Sequence, residues 1–300
     1  MRPTLIVGSI AFDTLHIGGQ SHPKVLGGSA TYAALAAAHF GPVQLVGVVG
    51  RDFPDTAVRM LRERGVDLAG LEVADGETFH WEGRYSDDLC ARETVRTDLN
   101  VFADFRPKIP GSFRDTPFVM LGNIDPTLQL EVLEQIERPR FVLADTMNLW
   151  IDIKQAALTE LVRRVDLLVL NDEEARQLSG AKNLVAAARS LLALGPKTVI
   201  IKKGEHGALL FQGDDVFSVP ALPLSGVADP TGAGDTFAGA LIGYLARSND
   251  LSGPSLRKAV VYGSVLASFC VEGISTERLS TATPAEVNAR FERFRQLTAF

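Results

Sequence analysis

Short apolar runs alternate along this chain with helix-like patterns, and this alternation limits the fold more than any other feature. Six runs are apolar on both faces, which is typical of parallel strands covered by helices. These predicted strands are residues 3–10, 43–49, 117–122, 140–144, 166–170 and 198–202. Helices are predicted at 30–40, 54–64, 127–137, 152–164, 172–179, 183–194, 233–247, 254–272 and 283–298. The pattern predicts an α/β fold with a mostly parallel sheet.

One region breaks the alternation and predicts a hairpin outside the main sheet. Phe79, Trp81 and Tyr85 share one side of the extended segment 78–85, and residues 92–99 alternate again. Two interpretations fit this pattern. The hairpin is either an ordinary antiparallel edge or a small lid over a pocket.

Composition and charge narrow the class of protein. The net charge is −6 with no basic block, which argues against nucleic acid or an anionic membrane as the main partner. Cys90 and Cys270 are the only cysteines, too few for a disulfide framework, so we expect a reduced setting. The first apolar run reaches Asp13 too early for a signal peptide, and no run of about 18 apolar residues follows. These features predict a cytoplasmic protein.

The segment 229–237 (DPTGAGDTF) carries the strongest chemical signal. Gly232 and Gly234 allow the backbone to approach a ligand closely where a helix begins. The first amides of that helix lack intrahelical partners and would form a hole for an anion such as a phosphoryl group. Asp235 would repel phosphate, so its position suits a base for an attacking hydroxyl. The alternative is a glycine-rich helix start with an ordinary first-turn acid.

Two other nucleotide-binding patterns are excluded. The chain has no GxxxxGK[ST] sequence, so it has no P-loop. GAGDTF lacks the third glycine of a dinucleotide fingerprint, and it lies late in the chain instead of after the first strand.

DPTGAGDTFAGAL resembles the C-terminal signature of the ribokinase (PfkB) family. Other segments resemble that family in the same order: VGS at 7–9 followed by Asp13, GGSA at 27–30, VGVVGRDF at 46–53, NDEEA at 171–175 and KGEHGA at 203–208. These motifs span nearly the whole chain, which is therefore identified as a member. The resemblance implies a single domain over 1–300. It also implies a three-layer sandwich with a mostly parallel central sheet and a small β lid from about 13–26 and 76–105.

The resemblance also implies roles for the glycine-rich segment. Asp235 would be the catalytic base that takes the proton of the acceptor hydroxyl. The amides of Gly232, Ala233 and Gly234 would stabilise charge on the transferring phosphoryl group.

The residues that are expected to bind the nucleotide follow two of the predicted strands. Asn171 and Glu174 would act near Mg²⁺ and the phosphates, with Glu174 contacting the metal through water. Lys203, Gly204 and Gly207 would lie near the nucleotide. Asn171 and Glu174 also fit a helix N-cap and a capping box, and the two roles are compatible.

Four residues are implied in substrate binding: Asp13, Gly27, Gly28 and Tyr32. Asp13 would accept hydrogen bonds from adjacent hydroxyls, although it could also cap a turn. Many relatives have Asn where this chain has Tyr32, so ribose or fructose cannot be assigned by analogy. Tyr32 could instead pack beneath the helix.

Further expectations concern ions and ligands at the edge of the sheet. Asp229 and Thr231 resemble positions that hold a monovalent cation, such as K⁺, in several relatives. Asp145 ends a predicted buried strand and so points to the edge where ligands bind. Phe79 and Trp81 could stack on a sugar face, a nucleobase or an inositol ring.

The predicted function is therefore an ATP- and Mg²⁺-dependent phosphotransferase acting on a hydroxyl of a small sugar or polyol. Two alternatives stay open: a nucleoside kinase on the same fold, and a non-catalytic sugar sensor. Asp235 argues against the sensor, which needs no base. A homodimer formed through the lid is a further expectation.

Overall fold

A nine-stranded sheet lies at the centre of the molecule, which a computed structural model describes for residues 1–89 and 91–299. Cys90 lies outside the described residues. The strands are β1 (Thr4–Val7), β2 (Ala11–Ile17), β3 (Gln20–Gly27), β4 (Val43–Val49), β5 (Val66–Val73), β6 (Phe79–Tyr85), β7 (Arg92–Asp98), β8 (Phe118–Leu121), β9 (Phe141–Asp145), β10 (Leu167–Asn171), β11 (Thr198–Lys202), β12 (Ala208–Gln212) and β13 (Asp215–Val219). The main sheet has the order β13-β12-β11-β10-β9-β8-β1-β4-β5. Only β12 and β13 run antiparallel to their neighbours.

Helices cover both faces of this sheet. They are α1 (Ser29–Ala38), α2 (Asp55–Glu63), α3 (Pro126–Leu133), α4 (Asn148–Ile153), α5 (Gln155–Arg164), α6 (Asp172–Ser179), α7 (Leu184–Leu192), α8 (Ala233–Ser248), α9 (Gly253–Cys270), α10 (Glu277–Thr281) and α11 (Pro284–Leu297). Ile6 belongs to the core shared with α1, α8 and α9, whereas Leu5 and Val7 belong to the core shared with α5 and α7. The predicted three-layer α/β sandwich is confirmed. No helix in the described part of the chain is long and apolar enough to cross a membrane.

The structure contains elements that the sequence patterns did not predict. Strand β5 and the hairpin of β12 and β13 form the two edges of the main sheet, and α10 is a short additional helix. The predicted helix at 152–164 is two helices, because the backbone leaves helical geometry at Lys154 (φ −134°, ψ 28°).

A second sheet of four strands has the order β3-β2-β6-β7. The predicted hairpin corresponds to its antiparallel pair β6 and β7. Strand β2 joins it by parallel pairing that places Asp13 opposite Trp81, so these two side chains share a face. Tyr85, two residues along the same face from Gly83, donates or accepts a 2.8 Å hydrogen bond with Thr231 Oγ1. The second sheet therefore covers the glycine-rich segment, as a lid would.

Helices α1 and α8 pack backbone to backbone. A Cβ atom added at Gly239 would lie 2.2 Å from the Ala33 carbonyl oxygen, and one at Gly243 would lie 2.8 Å from the Ala37 Cα. Small residues on both helices therefore allow an unusually close approach. This packing brings the first turns of the two helices together and so fixes where Gly28 and Gly232 lie.

Candidate active site

Three neighbouring parallel strands end at polar residues on one edge of the main sheet. Strand β9 ends at Asp145, β10 at Asn171 and β11 at Lys202, and the register pairs Asn171 directly with Lys202. Ligands of open α/β sheets bind at the carboxyl ends of such strands. This confirms that Asp145 lies at the edge the sequence indicated.

The glycine-rich segment forms the start of α8 at the same edge. Gly232 is the N-cap and adopts φ +74°, a left-handed conformation that favours glycine. The Ala233 amide donates to the Pro230 carbonyl at 3.3 Å, whereas Gly234, in the first helical turn, has no intrahelical acceptor. The turn therefore leaves the Gly234 amide without a partner in the helix and available to a ligand.

Asp235 is partly buried in this first turn, and its carboxyl group has a raised pKa. Burial, and then the Asp145 carboxylate, raise the pKa of Asp235 to about 7, while the Lys202 ammonium opposes the shift. A carboxylate with a pKa near neutrality is a more effective proton acceptor than an ordinary exposed one. The geometry and the pKa both suit the base predicted from the sequence.

Lys202 is a site residue that the sequence analysis missed. Its Nζ lies 3.3 Å from Asp145 Oδ1, and the two side chains are 17% and 5% exposed. The same Nζ would lie 2.9 Å from a Cβ atom added at Gly234. The lysine ammonium therefore reaches the first turn of α8. Its signal was the position at the end of a predicted buried strand.

Asp13 lies in the same pocket, on the face of the second sheet that looks onto the site. Its side chain is 4% exposed, and burial raises its pKa to about 8, with further contributions from Asp229 and Asp235. A Cβ atom at Gly27 would lie 2.1 Å from Asp13 Oδ2, so Gly27 leaves room for this carboxylate. Gly28 adopts φ +92° against the Ser9 carbonyl oxygen and starts α1.

Tyr32 packs beneath the glycine-rich segment. A Cβ atom at Gly232 would lie 2.4 Å from the Tyr32 ring, and the side chain is 1% exposed. Burial raises the pKa of the Tyr32 hydroxyl well above its usual value. The hydroxyl lies near Ser275 but has no hydrogen-bond partner of good geometry in the described part of the chain. The packing interpretation accounts for the ring, and a ligand role for the hydroxyl stays a prediction.

Asn171 and Glu174 form the capping box that their spacing suggested. The Glu174 amide donates to Asn171 Oδ1, and the Asn171 amide donates to Glu174 Oε2, both at 2.8 Å. Burial raises the pKa of Glu174 to about 7, and the Lys202 charge opposes this shift. Glu174 is therefore close to Lys202, the cation that reaches the first turn of α8. Its role toward Mg²⁺ stays a prediction.

The turn after β11 holds the other residues predicted for the nucleotide. The Lys203 amide donates to the Gly207 carbonyl at 2.7 Å, and Gly204 (φ +53°) and Gly207 (φ +80°) are left-handed. A Cβ atom at Gly207 would lie 2.0 Å from the Val219 carbonyl oxygen. Tight packing against β13 thus explains Gly207, and nucleotide contacts of all three residues stay predictions.

Asp229 ties together two loops beside the anion hole. Its carboxylate accepts hydrogen bonds from the amides of Thr231 and Ser275, each at 2.8 Å. The Cys270 thiol donates to the Thr231 carbonyl at 3.4 Å. Burial raises the pKa of Asp229. The structure therefore gives Asp229 a loop-ordering role, and the monovalent-cation site stays a prediction.

The second sheet contributes a cation and an aromatic ring. The Arg92 guanidinium lies 5.2 Å from the Trp81 ring centroid, and the Trp81 ring lies flat over Gly83, where an added Cβ would be 2.0 Å away. The Arg92 charge is close enough to lower the pKa values of Asp13 and Asp235 against the larger effect of burial. Phe79 instead stacks on Phe102, with centroids 5.2 Å apart, so Trp81 and Tyr85 are the rings of this strand that lie on the site face.

Acidic side chains outnumber basic ones in the pocket. Five carboxylates, those of Asp13, Asp145, Glu174, Asp229 and Asp235, face the cations of Lys202 and Arg92. No group of three or more His, Cys, Asp or Glu among residues 1–89 and 91–299 could hold a metal ion alone.

An aspartate in the first turn of a glycine-rich helix start, at the carboxyl edge of a parallel sheet and under a second sheet, fits an enzyme of the phosphotransferase class. The chain belongs to the pfkB family of carbohydrate kinases, whose sequence model matches residues 3–282. The family predicted from the motifs is thereby confirmed.

Individual relatives and solved structures agree with this assignment. A cytidine kinase of Thermococcus kodakarensis is 30% identical over 256 residues, which cover 84% of this chain and 91% of that protein. A nucleoside kinase of Methanothermobacter thermautotrophicus is 27% identical, covering 92% and 91%. The fold matches that of a putative ribokinase II from E. coli in complex with ATP and Mg²⁺ (TM-score 0.81, 19% identity, 98% and 100% covered). It also matches a Burkholderia thailandensis nucleoside kinase in complex with inosine (TM-score 0.80, 20% identity, 97% and 98% covered).

Proposed function

We propose that the protein transfers the γ-phosphoryl group of ATP to a hydroxyl of a sugar-bearing small molecule, with Asp235 as the base. The observation that carries this proposal is the partly buried Asp235 carboxylate, with a pKa raised to about 7, in the first turn of α8. The Gly234 amide and the Lys202 ammonium lie beside it. In such a reaction, positioning and charge neutralisation provide most of the rate enhancement.

The second sheet supports this function as a cover for the pocket. Asp13 and Trp81 share its inner face, and Tyr85 joins it to Thr231. A cover that excludes water limits hydrolysis of ATP in the absence of an acceptor. Its outer edges, β3 and β7, lack a neighbouring strand in the sheet and are consistent with the predicted homodimer.

Mg²⁺ is the cofactor that the charge balance favours. ATP carries several negative charges, and the site already has an excess of carboxylates. Glu174, buried close to Lys202 in the first turn of α6, would hold the ion through water. Bound there with the nucleotide, the ion would neutralise charge on the phosphate oxygens.

We predict that Glu174→Gln lowers activity by weakening Mg²⁺ binding, so that raising Mg²⁺ restores part of it. Glutamine can still accept the Asn171 amide, so the capping box and the helix should survive. The measurement is the initial rate as a function of free Mg²⁺ at saturating ATP. Glu173→Gln, an exposed change in the same turn, is the matched control. An unchanged Mg²⁺ dependence in Glu174→Gln would leave Glu174 as a capping residue only.

We also predict that K⁺ stimulates turnover. Asp229 and Thr231 lie immediately before the anion hole, and a fixed cation there would order the loop and strengthen phosphate binding. Rates in K⁺ and in a bulky organic cation of equal ionic strength should differ. Equal rates would mean that the Asp229 hydrogen bonds to Thr231 and Ser275 suffice to order the loop.

The acceptor is either a free sugar or polyol, or a nucleoside. A relative named cytidine kinase, aligned over most of both chains, favours the nucleoside. Trp81 supports it further, because a flat ring on the inner face of the cover can stack on a nucleobase. A screen of sugars, inositols and nucleosides for acceptor-dependent ADP release with MgATP tests the proposal. Release with none of them, despite ATP binding, would favour the non-catalytic sensor.

A further inference from the structure

The ammonium group of Lys202 lies directly against the glycine-rich turn that starts α8. Lys202 ends β11, and its Nζ would lie only 2.9 Å from a Cβ atom at Gly234. The missing side chain at Gly234 therefore leaves the space that the ammonium occupies. The same glycine offers its amide to a ligand, so the ammonium and the amide converge on one spot.

A second contact holds this ammonium in place. Asp145, at the end of β9, lies 3.3 Å from Nζ, and both side chains are largely buried. The Asp145 Oδ1 atom also accepts the Thr146 amide at 3.1 Å, and the Asp145 carbonyl accepts from Gln129 Nε2 at 3.1 Å. Asp145 is therefore a rigid partner, and it fixes where the lysine charge lies.

Lys202 keeps its charge although it is buried. Burial alone would favour the neutral amine, but the carboxylates of Asp145, Glu174 and Asp235 outweigh it and raise the pKa of Lys202. A buried ion pair contributes little net stability compared with well-packed apolar residues. An ion pair that only joined two strands would not need to point its cation at a glycine in a helix start.

We propose that the Lys202 ammonium binds the transferred phosphoryl group directly, and that Asp145 is the residue that positions it. This inference rests on the proposed function. During transfer, the acceptor oxygen forms a bond to Pγ while the bond between Pγ and the β–γ bridging oxygen breaks. The hydroxyl proton passes to Asp235, and ADP leaves with the bonding electron pair. Lys202 neutralises charge on the equatorial oxygens during this step.

A buried lysine that contacts the γ-phosphate should distinguish ATP from ADP. We predict that Lys202→Met lowers affinity for a non-hydrolysable ATP analogue by about 10-fold or more relative to ADP, because a charge-assisted hydrogen bond is lost. With an acceptor identified, kcat should fall about 10²–10³-fold, as for removal of one electrostatic contact to the transition state. Calorimetric titration with Mg²⁺ present measures both nucleotides without turnover.

Lys197→Met is the matched control, because Lys197 precedes β11 at the opposite end of the strand, is 80% exposed and pairs with Asp166 there. Its ratio of analogue affinity to ADP affinity should stay within about 3-fold of the parent, a small fraction of the change expected above. Asp145→Asn should lower the ratio less than Lys202→Met does, since the ammonium is still present but no longer held.

Folding is checked by thermal unfolding of each variant. If Lys202→Met alone does not fold, the double variant Lys202→Met/Asp145→Leu removes both charges and leaves neither unpaired. An unchanged ratio in a folded variant without Lys202 would overturn the inference while leaving the proposed function intact. A parent protein that binds neither nucleotide would overturn the proposed function itself.

Discussion

Asp235→Asn should reduce turnover by about 10²–10⁴-fold, the usual loss when a general base is removed. Asparagine has nearly the same shape as aspartate but cannot accept the proton of the acceptor hydroxyl. The Gly234 amide and the Lys202 ammonium remain, so binding of MgATP should stay close to that of the parent. The measurements are acceptor-dependent ADP release and calorimetric titration with an ATP analogue. Turnover within a few-fold of the parent would contradict the assignment of Asp235.

The same residue predicts a pH dependence. Because burial and Asp145 raise the pKa of Asp235 to about 7, the carboxylate is protonated below that pH and cannot act as the base. The parent value of kcat/KM should therefore rise with pH through about 7, since this parameter reports groups of the free enzyme. Asp250→Asn, beyond the far end of α8, is a control that should keep both the rate and the profile.

The sequence predicted the central parallel strands because each is apolar on both faces. Strands at the edges of the sheet have a weaker apolar pattern in the sequence, because they have a neighbouring strand on one side only and part of their surface is exposed to solvent. Strand β5 mixes buried Val66 and Leu68 with exposed neighbours, and β13 is mostly exposed. The helix break at Lys154 was also invisible in the pattern, because no glycine or proline marks it.

The sequence motifs predicted most residues of the candidate site. Of two adjacent lysines, they predicted the one that belongs to the motif. The predicted strand 198–202 already ended at Lys202, whereas the motif began at Lys203; the structure pairs Lys202 with Asn171 of β10. A one-residue difference in a strand reverses the face on which a side chain lies. Residue type and spacing could not show that Lys202 lies 3.3 Å from Asp145, because that contact joins segments that are distant in the chain, and the nucleotide contact of Lys203 stays a prediction.

The structure explains these glycines by close packing, whereas the sequence analysis explained them by contact with a ligand. The pair Gly27 and Gly28 was predicted to admit the substrate, and substrate contacts there stay predictions. The structure shows that Gly27 first makes room for the Asp13 carboxylate and that Gly232 makes room for the Tyr32 ring. Such contacts join segments that are distant in the chain, so no local pattern could indicate them.

Asp13→Asn should raise KM for the acceptor by about 10- to 100-fold and leave KM for ATP nearly unchanged. Above about pH 8, where the Asp13 carboxylate is ionised, each hydrogen bond to it contributes about 1.5–3 kcal/mol, which corresponds to that range. An acceptor analogue that lacks one of two adjacent hydroxyls should bind the parent as poorly as the normal acceptor binds the variant. Asp98→Asn, on the opposite face of the second sheet, is the control that should change neither KM.

The same substitution should stabilise the protein, and this separates substrate binding from turn capping. Burial raises the pKa of Asp13 from 3.8 to about 8, so the folded state holds a proton that the unfolded chain releases. The free energy of unfolding that Asp13 contributes is therefore greatest below about pH 4 and decreases as the pH rises through about 8. Asparagine does not titrate, so the Tm of Asp13→Asn should increase relative to that of the parent as the pH rises from about 4 to about 8. A residue kept only as a turn cap would instead lose stability on substitution at every pH, with both KM values unchanged. That result would place the acceptor pocket elsewhere.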